Sequence, residues 1–222
     1  MRGRSQAVAG VVVVVLVAAA AALGSPPEKE QIKLVPADQA AAKATVLRRA
    51  DLGTATGWTG GAKKPDLSGE PNCKTYHPKQ SDLVVTGAAE SDFKHVGVEF
   101  DSEAQVLQTA HMVALDWQRT VATPAVVPCL RQILSASASS GGKLVSFGKI
   151  AFPSVARYTA AYEAVLSVTA RGTTVPVTVQ IVVAGQKRTE ITLSGSLVGS
   201  TSSVLSAAML RLTRTMVARA RA

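Results

Sequence analysis

The 222-residue sequence predicts an α+β fold, an antiparallel sheet of about five strands with helices packed mainly on one face. Two observations carry this. From Lys143 to Ser194 apolar residues alternate by twos between turn residues, the pattern of an antiparallel meander. On either side of the meander, apolar residues recur every three or four positions, as on helix faces.

In chain order, residues 1–24 form a leader. Arg2 and Arg4 precede an unbroken small-apolar run, Ala7 to Gly24, and Ser25-Pro26-Pro27 follows at once. A basic start, an apolar middle and small residues at the end make an export signal. The run is 18 residues long, about 27 Å as a helix, so two readings stand. Either it is cleaved after Gly24, or it stays as a single N-terminal transmembrane anchor. Ser25 occupies the position of the lipid-accepting cysteine in a lipoprotein signal, so no thioether lipid is expected there. The protein is accordingly read as extracytoplasmic, secreted or anchored.

Residues 25–35 read as a linker and 36–222 as a single domain, long enough to bury one core. Pro36 opens an Ala-rich helix that ends before Gly53, with Arg48 and Arg49 near its negative end. Residues 53–80 read as a long loop rich in Gly, Pro, Lys and Thr, with Trp58 anchoring it. Short strands are expected at Leu83–Thr86 and Val96–Phe100. A helix is then expected from Ser102, with Gln105 closing a capping box and Val106, Ala110, Val113 and Trp117 on one stripe. A second helix carries Cys129, Leu130, Ile133 and Leu134. The meander follows, with turns at Arg171-Gly172 and Gly185-Gln186, and a basic helix to about Arg219 closes the chain.

Charge is unevenly spread. Residues 25–120 carry 11 basic and 13 acidic side chains, whereas residues 121–222 carry 11 basic and only 2 acidic. An exported protein rarely meets nucleic acid, and no nucleic-acid motif is present, so that partner is set aside. Anionic lipid or acidic wall polymer is the better match for Arg211, Arg214 and Arg219. Cys73 and Cys129 lack zinc-site spacing; outside the cytoplasm they read as one disulfide, the alternative being two buried thiols. No cofactor and no metal is expected.

Motifs for catalysis are missing. Gly195-Ser196-Leu197-Val198-Gly199 misplaces the serine of a nucleophile elbow by one position. Gly60-Gly61-Ala62-Lys63-Lys64 is followed by Pro65, which argues against the helix that a phosphate cradle needs. His77, His95 and His111 share no metal-ligand spacing, and Glu90/Asp92 with Glu99/Asp101/Glu103 are explained by capping and solvation. What remains is a binding or sensing role without catalytic residues, with a hydrolase built from scattered Ser, His and Asp as the remoter alternative. Its ligand, a small molecule or an envelope component, would sit in a groove between sheet and helices. Trp58, Tyr76, His77, Tyr158 and Tyr162 are the candidate contacts.

The strings RADLGTATGWTGG and SDLVVTGAAESDF, the isolated Cys73, a helix ending in Trp117, and PAVVPCL before a meander resemble exported bacterial domains. These are similar to the extracytoplasmic sensor domains of receptor Ser/Thr kinases and to related envelope lipoproteins. The resemblance spans about residues 36–220. It implies an antiparallel sheet with packed helices, disulfide support and ligand sensing without enzymatic activity. The chain departs from it in having cysteines for one disulfide instead of two, and no kinase domain. The resemblance assigns no binding residue.

Overall fold

The computed structural model describes residues 29–67, 73, 76–138, 142–170, 172–199 and 202–220. The leader, Arg171 and Arg221 lie outside them. The strands are β1 (Gln31–Ile32), β2 (Thr59–Lys63), β3 (Val84–His95), β4 (Val98–Leu107), β5 (Gly142–Ile150), β6 (Tyr158–Ala170), β7 (Thr173–Gln186) and β8 (Thr189–Val198). The helices are α1 (Pro36–Thr45), α2 (Ala110–Asp116), α3 (Val126–Ala138) and α4 (Ser202–Ala220). A 3-10 turn, Arg49–Leu52, follows α1, and a π-helical turn, Trp117–Val121, follows α2.

All eight strands form one sheet, ordered β1-β3-β4-β8-β7-β6-β5, with β2 beside β1 on the free side of β3. The β1–β3 pair is parallel and the other pairs are antiparallel. This corrects the expectation of about five strands in an antiparallel sheet: the sheet is mixed and larger. The additional strands come from segments with no periodic signal. β1 is two residues inside the linker, and β2, TGGAK, lies inside the expected loop.

A second correction concerns residues 101–107, expected in a helix and found in β4. Phe100, Ser102, Ala104 and Val106 are buried, while Glu99, Asp101, Glu103 and Gln105 between them are half-exposed. That is a period of two. Ser102 is no cap. Its hydroxyl accepts from Leu47 N–H at 3.0 Å and lies 2.8 Å from the Ser91 hydroxyl. Residues Val96–Phe100 likewise do not form one strand, because Val96 and Gly97 make the β3–β4 turn. Gly97 has φ +74°, a left-handed value that glycine adopts without strain. Helix α2 starts later, where the Thr109 hydroxyl accepts from Met112 N–H at 3.2 Å.

Helices cover both faces, at different ends. On one, α1 and α4 lie over β3, β4, β7 and β8. There Phe93, Phe100, Ile191 and Leu193 pack against Leu205, Met209, Leu212 and Met216, all at most 5% exposed. On the other, α2 lies over the start of β8 and α3 over β5 and β6, burying Val113, Val126, Phe147 and Tyr162. The expectation of helices mainly on one face is corrected with them. Beyond α2 and α3, no helix among the described residues covers this second face of β3, β4 and β8.

Cys73 and Cys129 are disulfide-bonded, with Cα atoms 5.5 Å apart and 56 positions between them in sequence. The bond fixes the far end of the 53–80 segment to α3. Such a bond suits an oxidising, extracytoplasmic compartment. Among the described residues no helix is long and apolar enough to cross a membrane.

Candidate functional site: an acidic sheet face

Alternation along β3 and β4 sends one set of side chains under α1 and α4 and the other set to the second face. That set is Glu90, Asp92 and Lys94 on β3, and Glu99, Asp101, Glu103 and Gln105 on β4. Asp66 N–H bonds Glu90 Oε2 at 3.3 Å, which leaves the Glu90 side chain 14% exposed, so this face is covered in part. The register then stands Glu90 opposite Glu103 and Asp92 opposite Asp101, like charges directly across a strand pair. Such pairs destabilise a sheet unless a cation answers them. Lys63 of β2 does so in part, its ammonium 2.7 Å from Glu90 and 2.7 Å from Asp101. Burial works against that ammonium, yet the two carboxylates outweigh it and hold its pKa above the ordinary lysine value. Lys94 pairs with Glu99 at 2.8 Å. Thr192, Ser194 and Ser196 of β8 continue the polar floor.

At the end beneath α2 the acidity deepens. Asp116, only 9% exposed, accepts from Gln80 Nε2 at 2.9 Å and from the Thr120 hydroxyl at 3.2 Å. Glu190 of β8 is close enough to act on it as well. Burial pushes the Asp116 carboxyl up, and burial followed by Glu90, Asp101 and Asp66 does the same to Glu103. Glu30, just ahead of β1, is pushed up to about 7, first by burial and then by Asp116 and Glu103. Gln80 is 2% exposed, and its Oε1 has no hydrogen-bond partner among the described residues. Protons or an external cation can neutralise this set.

The candidate contacts of the sequence do not assemble into one pocket. Trp58 belongs to the α4-side core, 5.8 Å from Phe100 and 5.2 Å from His95. On the opposite face, the hydroxyls of Tyr76 and Tyr162 donate to the carbonyls of Arg119 and Val121, the latter at 3.3 Å. Both carbonyls lie in the π-helical turn, closed by Ala122 N–H on the Trp117 carbonyl at 2.8 Å. The two phenols therefore brace that turn. Tyr158 stacks on Trp117 at 5.4 Å and has the Arg157 guanidinium over its ring. His77 is exposed.

The cleft beside the disulfide, between Tyr76, Pro78, Thr120, Val126 and Cys129, measures about 30 Å³. That is room for water, not for an organic ligand. Of the basic trio on α4, Arg219 pairs with Asp51 at 2.8 Å and Arg211 donates to the Asp51 carbonyl at 2.6 Å, while Arg214 is exposed. Two of the three thus tie α4 to the 3-10 turn. Among the described residues no three His, Cys, Asp or Glu side chains converge as a metal site would require.

The sequence reading missed Glu30, Gln80, Asp116 and Glu190. Alternation at 99, 101, 103 and 105 was a signal only for the acids of β4 itself; Glu30, Asp116 and Glu190 come from other elements and left none.

No family model matches the chain, and no curated protein does. Among solved structures, an uncharacterised protein from Mycobacterium smegmatis, described as an Rv0999 ortholog, aligns with a TM-score of 0.45 and 10% identity. The alignment covers 83% of this chain and 98% of that one. No functional inference follows from it.

Proposed function

We propose that the chain is an exported binding or sensing domain of the cell envelope, and that its ligand is cationic and docks on the open acidic face. One observation carries the reading. Glu90 faces Glu103 and Asp92 faces Asp101 across β3 and β4, with Lys63 as the lysine that bridges the two rows. This arrangement leaves negative potential on a surface that no helix among the described residues covers, and a cationic ligand would relieve the repulsion on binding. The expected similarity to extracytoplasmic sensor domains agrees with a binding role. On this reading the leader exports the domain, which is then released after Gly24 or held by residues 7–24.

The water-sized cleft at the disulfide argues for an open-face ligand over an enclosed one. Contact of α4 with anionic lipid or wall polymer is the weaker reading, since Asp51 occupies Arg211 and Arg219.

Calorimetric titration with spermine and with hexalysine tests the proposal. Micromolar binding is expected at low ionic strength, weakening as salt rises, and lost in Asp101→Asn/Glu103→Gln. Absence of binding at low salt, or binding that survives the double substitution, would end this reading.

A further inference from the structure

One end of the sheet carries the start of the described chain. The β1–β3 pair is parallel, with Gln31 opposite Val84 at the beginning of β3, so Lys29 and Glu30 lie at that end. The end of β7 and the beginnings of β8 and β6 lie there too. Thr189 stands opposite both Val106 and Gln186, and Tyr158 stands opposite Gly185. The Arg188 guanidinium ties these parts together. It donates to the Leu107 carbonyl at 2.8 Å, to Asp38 in the first turn of α1 at 2.5 Å and to the Thr86 hydroxyl at 3.2 Å. The Thr86 carbonyl in turn accepts from Val35 N–H at 2.7 Å.

What this end shows to solvent is basic and apolar. Lys29, Lys33, Arg157 and Lys187 are exposed, and Lys187 stands in the β7–β8 turn in left-handed backbone, φ 52°. Arg157 is held beside that turn by its N–H on Gln186 Oε1 at 3.2 Å. The acidic side chains Glu30, Asp38, Asp82 and Glu190 are all half-buried, and Asp38 and Asp82 are paired with Arg188 and Arg119. Beside the lysines, Ile32, Leu34 and Val35 are 41, 47 and 43% exposed. Among the described residues no other stretch exposes three large apolar side chains within four positions. Lysines interleaved with apolar side chains suit the boundary of a bilayer, where the stems lie along hydrocarbon and the ammonium groups stay in water.

The sequence ahead of this end identifies the occupant. The apolar run ends at Gly24, five positions before Lys29, which spans at most about 18 Å of extended chain. The opposite end, at the Val96–Gly97 turn, is farther by the 12 residues of β3, about 40 Å. A run held in the bilayer therefore keeps the basic end at the surface.

We propose that this end of the sheet docks on the anionic phospholipid headgroups of the membrane that holds residues 7–24, with Lys33, Arg157 and Lys187 as its charged contacts. Ile32, Leu34 and Val35 then enter the headgroup layer. The docking rests on the held form of the leader and is independent of any ligand on the acidic face. Each basic side chain near such a surface contributes about fivefold to the docking equilibrium, and salt screens it.

Amide NMR of the full chain in nanodiscs that carry a paramagnetic headgroup lipid tests this. In equimolar phosphatidylglycerol and phosphatidylcholine, broadening is expected at Lys33, Arg157, Lys187 and Arg188 and not at Val96 and Gly97. In phosphatidylcholine alone, or at high salt, broadening at Arg157, Lys187 and Arg188 is expected to fade. Arg157→Gln/Lys187→Gln is expected to weaken docking by about 25-fold, with the shifts of central β7 residues unchanged to show that the fold is kept. Broadening at the β7–β8 turn that is equal in the two lipids, or that survives the double substitution, overturns the proposal. So does its absence, whether this end then responds to added polyphosphate, the mark of an acidic polymer, or to protein concentration, the mark of a second copy.

Discussion

Gly87 sits in a bulge of β3, where the register with β4 shifts between Val85 and Gly87, and the N-terminal turn of α1 comes down on it. A Cβ there would run into the carbonyl of Asp38 and the amide nitrogen of Gln39, backbone atoms with no freedom to move aside. Around it, Val35 N–H bonds the Thr86 carbonyl and Gln39 Oε1 accepts from Ala88 N–H at 2.5 Å. Gly87→Ala is therefore expected to destabilise the fold by about 1–3 kcal/mol, the usual range for overpacking. Gly61→Ala, in a strand position with open space around it, should change stability by less than about 0.5 kcal/mol. Urea denaturation of both variants checks this, and equal effects would show that the close approach of α1 is not what constrains Gly87.

Between elements, the disulfide and the π-helical turn hold α3 and its neighbours to the β5–β6 end of the sheet. Closing a loop of this length stabilises by about 4 kcal/mol in the chain-entropy model. Reduction, or Cys73→Ser/Cys129→Ser, is expected to remove about 2–4 kcal/mol. Protection at the Tyr76 and α3 end should loosen first, with α1 and α4 unaffected, as exchange or limited proteolysis would show. The cysteine pair was legible in the sequence, and so were the meander, α3 and α4, each with a signal of its own, and the start of α1; α1 however ends at Thr45 with Val46 extended, short of the expected end before Gly53, and Arg49 lies in the 3-10 turn that follows. The β3–β4 hairpin was not. Ser102 with Gln105 has the form of a capping box, and Val106, Ala110, Val113 and Trp117 fall at helical spacing, so a helix outcompeted the alternation of Phe100, Ser102, Ala104 and Val106. Small residues at buried strand positions weaken the period-two signal, and here α1 packs close enough to need them. β1 is too short to leave any pattern. The acidic face was hidden with the hairpin, since Glu30, Asp116 and Glu190 meet it only through tertiary pairing.

At the scale of the molecule, its two groups of perturbed carboxyls have opposite consequences for stability against pH. Glu30, Glu103 and Asp116 are raised, so the folded form binds more protons between their ordinary range and about pH 7, and stability falls as pH rises there. Asp82 is lowered to about 2, through its bonds to Arg119, and Asp38 is lowered through Thr86 and Arg188 once burial is outweighed. Their contribution is present above their ordinary values and is lost as the medium acidifies below them. The melting temperature is expected to peak near about pH 4, at the ordinary carboxylate values, and to be lower at pH 8. Scanning calorimetry across that range checks it, and a maximum at or above pH 8 would contradict the acidic cluster. The flanks of the sheet have their own consequence. On the β3 side, β1, the start of α1 and β2 occupy the hydrogen-bonding groups of β3, which makes β2 an outer strand, while β5 on the far side ends the sheet with Val145 exposed and lysines at 143 and 149. Open-ended strand addition needs two free flanks per copy, one to receive and one to offer. β2 and β5 supply both, so what opposes strand addition here is charge and composition: lysines at 63, 143 and 149 stand on the two outer strands, and β2 is five residues long with two glycines.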